Sequence, residues 1–324
     1  MHSSHKPTAL RTNCTPRVCL IFLGGGTLAH ACILGICFLD KSKYYAADHP
    51  TSTHSKPDVI AYNLNHYNRL NEASVEFQAE FRAHWPFIEM TVEFHSSGKS
   101  FNDRRCQAHS YAAYLLAARP DLESTLGILV EKDCMIVFIC NSSGTKEIKV
   151  QKPDCPSVLA TIVKYLNEGQ SKACAGSIIR TTADDHRATF TLCTSGGTFE
   201  NCTLNRVGYP FGRRTNIFVT QAIDGDSPVR VIKEQRVRST VRWTEKEILD
   251  RIHQGGAYPG VVRTKFFDQD LTSAGRFKVQ IGLLDKGTSF MDIDTPRKVL
   301  YALYDLLEGE PRHMRVSTRT LNHI

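Results

Sequence analysis

One lysine in this sequence stands in an apolar strand-like run and is followed, at the start of the next helix-like run, by two carboxylates. Thr215 to Ile223 alternates apolar and polar residues as a half-buried strand does, and Asp224-Gly225-Asp226 is a turn signal. Val229, Val231 and Ile232 then resume a strand that reaches Lys233. Thr244 opens a helix with Glu245 and Glu247 in its first turn and Ile248, Leu249 and Ile252 behind them. A carboxylate placed there can hold the Lys233 ammonium in one position. The two glutamates lie two positions apart, about 200° round a helix, so at most one of them faces the lysine. Lys and Glu are common residues and a strand lysine often faces solvent, so the flanking elements decide what the pair is for.

The flanking elements fall into an order. Pro57-Asp58-Val59-Ile60-Ala61-Tyr62 reads as a strand, 70–81 as a helix and 88–94 as another strand. Helices follow at 104–118 and 156–166, on either side of an antiparallel pair, 125–130 and 135–140, joined through Glu131-Lys132-Asp133. Residues 170–200 are rich in Gly, Ser and Thr, with one strand at 187–193. Beyond the lysine, 276–284 is strand-like, and Val299, Leu300, Leu303, Leu306 and Leu307 recur at helical spacing. The class is α+β: a leader at 1–54, an α+β domain at 55–169, a connecting region at 170–204 and a second unit at 205–324.

Strand, turn, strand with lysine, then helix with glutamate is the order by which a protein kinase holds ATP phosphates. VIKEQ around Lys233 resembles the kinase lysine motif, and TEKEIL resembles the start of the helix that supplies its glutamate. With GRRT at Gly212 to Thr215, IGLLDKGTSF from Ile281 and KPDVIAY from Lys56, residues from about 55 to 315 resemble the fungal-type protein kinase family, a divergent branch of the protein kinases. The resemblance implies a kinase-like small lobe with the first large-lobe helix after it at 205–324, the rest of the large lobe missing. It also implies ATP and Mg²⁺ as cofactors and a protein as substrate or regulatory partner. Lys233 would contact phosphate, Glu245 would be its partner, and Gly212 and Thr215 would belong to the phosphate loop. Family members read Gly-Arg-Gly-Thr in that loop, and Arg214 stands where the second glycine is expected. The family's His-Arg-Asp and Asp-Phe-Gly motifs do not occur in the sequence, so the chain as it stands is expected to be a pseudokinase-like remnant or a truncated form that does not transfer phosphate.

The first domain carries a second constellation. Pro57-Asp58, Glu93-Phe94-His95 and Gln107-Ala108-His109-Ser110-Tyr111 resemble the motifs of PD-(D/E)XK nucleases. That resemblance implies a nuclease-like fold in which Asp58 and Glu93 converge from neighbouring strands on a metal ion. His95 stands where a water-positioning lysine is usual, which compromises cleavage. The alternative is that Pro57-Asp58 is a strand-entry turn and Glu93 a surface residue.

Composition narrows the classes. At 324 residues, 41% apolar and 23% charged, the chain has enough material for cores of ordinary globular kind. A formal charge of +7 is a weak pointer to anionic partners. Arg230, Lys233, Arg236, Arg238 and Arg242 cluster without interleaved aromatic residues, so no nucleic-acid stacking platform is indicated. The 11 cysteines form no CxxC pair, which argues against zinc modules, and Cys134, Cys140 and Cys193 lie in apolar strand-like runs. This points to a reducing, intracellular setting. Val18 to Leu39, 22 residues without a formal charge if His30 is neutral, is long enough to span a bilayer, and a membrane anchor, a signal peptide or an unstructured leader are all open readings.

Overall fold

The computed structural model describes residues 30–33, 36–40, 46, 49, 56–69, 83–286 and 295, 296 and 300, apart from 97, 174–176, 183–186, 222–228, 259–260 and 273–274. The helix expected at 70–81, the Asp224-Gly225-Asp226 turn and, Leu300 apart, the apolar spacing at 299–307 lie outside the described residues.

Among the described residues the first sheet has seven strands, in sequence order. They are β1 (His30–Ile33), β2 (Ile36–Asp40), β3 (Val59–Asn63), β4 (Ile88–Phe94), β5 (Ser124–Val130), β6 (Cys134–Asn141) and β7 (Gly144–Gln151). Neighbours pair antiparallel except β4 and β5, which are parallel, Met90 opposite Leu126. Parallel neighbours need a crossover, and helix α1 (Phe101–Ala118) supplies it. Ser100 caps α1: its Oγ accepts from the Asp103 amide at 3.1 Å, and the Asp103 carboxylate accepts from Ser100 in return. Helix α2 (Cys155–Ala173) follows β7 and covers the other face.

The strands supply both faces by alternation. Ile36 and Phe38 of β2, Val59 and Ala61 of β3, and Met90 and Val92 of β4 pack with Leu159, Ile162, Val163 and Leu166 of α2. Cys37, Leu39, Ile60 and Tyr62 point the other way, to Tyr111, Leu115 and Ala118 of α1. A strand buried on both faces reads as an unbroken apolar run. This accounts for the run at 36–39, the end of the apolar stretch for which a membrane span was one expectation. The described part of that stretch, at 30–33 and 36–39, is strand, so the first sheet begins inside the expected leader and not after residue 54. No helix among the described residues is long and apolar enough to cross a membrane.

The second sheet also has seven strands among the described residues: β8 (Ile178–Thr182), β9 (Ala188–Thr194), β10 (Gly197–Val207), β11 (Asn216–Val219), β12 (Val231–Val237), β13 (Thr264–Leu271) and β14 (Phe277–Leu283). Their order is β13-β14-β12-β11-β10-β9-β8, antiparallel throughout. The expected connecting region at 170–204 is therefore largely sheet: β8, β9 and most of β10 belong to this unit. The strand expected at 187–193 is β9, and the Gly, Ser and Thr content hid the other two. Helix α3 (Glu245–Ile252) lies between β12 and β13.

The α+β class holds, with helices beside two sheets. Cys140 is buried as expected, whereas Cys134 is only half-buried and Cys193 is exposed, because Leu192 takes the inward position on β9. Cys37, Cys106, Cys155 and Cys202 are free thiols, as are Cys134, Cys140 and Cys193.

Candidate functional site

Lys233 is the third residue of β12 and lies between Ile217 of β11 and Ile281 of β14. Its side of the sheet is apolar, with Val231, Ile281, Ile217 and Phe267 in one cluster. An ammonium rising from such a surface needs a partner. Lys233 Nζ donates to both carboxylate oxygens of Glu245, at 2.8 and 2.7 Å. The side chains keep 22% and 30% of their exposure, so the pair is reachable from solvent.

The N-terminal cap of α3 decides which glutamate does this. Thr244 Oγ1 accepts from the Glu247 amide at 3.2 Å, and Glu247 Oε2 accepts from the Thr244 amide at 2.6 Å and its hydroxyl at 2.9 Å. Those bonds hold the Glu247 carboxylate below its usual range and commit it to the helix end. Glu245, turned the other way, is left for the lysine.

The expected phosphate-loop residues divide. Thr215 accepts at its carbonyl from the Gly208 amide at 2.6 Å and precedes β11 with the parity of Ile217, on Lys233's side of the sheet. Gly212, at a φ of 79° that favours glycine, donates its amide to the Ser142 carbonyl of the first sheet at 2.7 Å. The structure joins Lys233 and Glu245 and fastens Gly212 elsewhere.

Asp58 and Glu93 meet at the β3–β4 pairing, one step beyond Val59 and Val92. The Asp58 amide donates to Glu93 Oε1 at 3.1 Å, and the Phe94 amide donates to Asp58 Oδ2 at 2.9 Å. Glu93 is 4% exposed. Burial, with the Asp58 charge adding to it, pushes its carboxyl up to about 8. The expectation that Glu93 could be a surface residue is thus corrected.

His95 does not take the place of a lysine here. Its Nδ1 lies 2.8 Å from Glu131 Oε2, and Arg104 holds the same carboxylate from Nε at 2.8 Å. The cation that acts on Glu93 is Lys99, which the sequence reading missed and whose charge favours the ionised carboxylate. Lys99 Nζ donates to Gln107 Oε1 at 2.6 Å, Gln107 Nε2 to the Tyr111 hydroxyl at 3.0 Å, and that hydroxyl to the Lys56 carbonyl at 3.1 Å. Gln107 and Tyr111, one turn apart on α1, share a face, and this spacing was the legible signal. Mg²⁺ is commonly held by one or two carboxylates with water completing its shell, and the Asp58–Glu93 pair fits that donor set. Among the described residues no group of three or more His, Cys, Asp or Glu side chains gathers to hold a metal.

A third polar cluster had no sequence signal. Arg119, 1% exposed, donates to Glu89 Oε2 at 2.8 Å and to Asp121 Oδ2 at 2.9 Å. Burial opposes charge on both acids, yet Arg119 and Arg180 together hold them below their usual range. No protein-family model, curated protein or solved structure matches this chain.

Proposed function

We propose that the second unit is a nucleotide-phosphate-binding module of protein-kinase type, related to the fungal-type protein kinases, in which Lys233 meets phosphate oxygens. The observation that carries this reading is the two-oxygen contact of Lys233 with Glu245. A lysine fixed by a carboxylate, on an apolar sheet face and still open to solvent, is placed to exchange part of that contact for an anionic ligand. ATP with its Mg²⁺ is the ligand class the resemblance implies, with the metal entering on the nucleotide. The proposal concerns binding, since the His-Arg-Asp and Asp-Phe-Gly segments that would supply a base and metal carboxylates do not occur in the sequence. Titration of a fluorescent ATP analogue with Mg²⁺ tests it. Binding by the wild-type chain that weakens about tenfold or more in Lys233→Met supports the reading. No binding by wild type, or equal binding by the variant, rejects it.

A second reading rests on Asp58 and Glu93. A carboxyl held protonated near neutral pH by burial, with a neighbouring carboxylate adding to it, is a place where a divalent cation would be favoured, in the manner of a degenerate PD-(D/E)XK site. Calorimetric titration with Mg²⁺ or Mn²⁺ would show heat that disappears in Asp58→Asn. Heat that persists in that variant counts against the site.

A further inference from the structure

The loop between β10 and β11 is fastened to the first sheet's helix by one buried cation. Arg214 is 1% exposed and takes a φ of 39°, a backbone region that residues with a Cβ rarely occupy. Its Nη2 donates to the carbonyls of Leu116 at 2.8 Å and Arg119 at 2.7 Å, and its Nη1 to that of Leu122 at 2.7 Å. Leu116 is in the last turn of α1 and Arg119 is its C-cap. A helix end presents unpaired carbonyls and a partial negative charge, so a guanidinium fork suits it.

The rest of the loop is fixed as well. The Gly212 amide donates to Ser142 in the turn between β6 and β7, the Arg236 amide donates to the Arg213 carbonyl at 2.6 Å, and Phe211 stacks on His109 of α1 with ring planes 7° apart. The attachment is made at a cost. Arg214 Nε has no hydrogen-bond partner, and burial with the nearby Arg236 charge pushes the guanidinium down to about 9. A strained, buried cation against a helix end is not needed to close a hairpin, since β10 and β11 pair on their own. Three residues beyond Arg214, Ile217 stands opposite Lys233.

We propose that Arg214 is an intramolecular latch by which the first unit holds the β10–β11 loop away from the Lys233 site, so that releasing it strengthens phosphate binding there. The ligand side of this inference rests on the reading of Lys233 given above. The mechanical side stands on the Arg214 contacts alone. The latch works by keeping this loop from closing over the bound ligand, in the way that closing loops raise affinity elsewhere when free to move.

The test combines backbone hydrogen exchange with titration of the fluorescent ATP analogue on the full chain. In Arg214→Gly, which removes the fork and suits the backbone angle, the Gly212 amide should exchange about tenfold faster or more, while amides of β12 and β14 keep their protection. Affinity for the analogue should tighten about fivefold or more. Arg214→Lys, which keeps one charge but not the planar fork, should give intermediate values, and it serves if the glycine variant does not fold. An unchanged Gly212 amide in a folded variant overturns the latch. A released amide with unchanged or weaker affinity overturns the gating. If the amide is released but neither wild type nor variant binds the analogue, the Lys233 reading is what fails, and the gating with it.

Discussion

Arg180 of β8 reaches across to Glu89 of β4, Nη2 to Oε1 at 3.0 Å, so the outermost strand of the second sheet is tied to an interior strand of the first. Arg119 occupies the other oxygen of the same carboxylate. Removing one partner from such a buried set leaves an uncompensated charge, which costs about 3–5 kcal/mol. Glu89→Gln is therefore expected to lower the urea midpoint strongly and to separate the unfolding of the two sheets into two phases. A change below about 1 kcal/mol would show that the cluster contributes little.

The two glutamates of α3 should behave differently. Glu247→Gln takes the charge out of a capping box and should lower the thermal midpoint more than Glu245→Gln does. Glu245→Gln leaves the cap intact and removes a half-exposed ion pair, whose loss costs about 1 kcal/mol or less. Nucleotide-analogue affinity should follow the opposite ranking, falling in Glu245→Gln and holding in Glu247→Gln. Equal effects of the two variants on binding would contradict the assignment of Glu245.

Glu93 makes stability depend on pH in a defined direction. Its carboxyl moves from an ordinary 4.5 to about 8 in the folded chain. Between those values the folded state binds more protons than the unfolded state, so the Glu93 contribution falls as pH rises from 4.5 to 8 and is level outside that window. Glu93→Gln should flatten that decline in urea midpoints measured across the window. Saturating Mg²⁺ should flatten it too if a cation binds there. A wild-type curve that rises over the same window because of Glu93 would be incompatible with its placement.

Gly127 of β5 sits where α1 comes closest to the sheet. A Cβ there would lie 2.9 Å from Ala112 Cβ and 3.4 Å from the Ala108 carbonyl, so the helix would have to lift. Gly127→Ala is expected to cost about 1–3 kcal/mol by overpacking. Thermal denaturation showing no loss would mean that α1 can shift freely.

Much of this was legible because it is local. Alternation located β4, β5, β6 and β12, and the Thr244 to Glu247 spacing located both the start of α3 and the pairing of Lys233 with one of two acids. Gln107 and Tyr111, four apart, marked the face of α1 that meets the carboxylates. What stayed hidden depends on partners distant in sequence. Lys99 lies in a polar segment with nothing to mark it, and Arg214 reads as a misplaced loop residue until the end of α1, 95 residues away, is brought beside it. The strand at 36–39 looked like a bilayer segment because burial on both faces and burial in lipid leave the same apolar run.

Strand order in the first sheet matches order in the chain, whereas β12 pairs with β14, Glu234 opposite Gln280, 46 residues apart. During synthesis, then, each pairing of the first sheet becomes available when the later strand leaves the ribosome, while β12, which carries Lys233, waits for β14, the last strand among the described residues. The first sheet is thus built to assemble vectorially, and it can serve as the surface on which the second one settles.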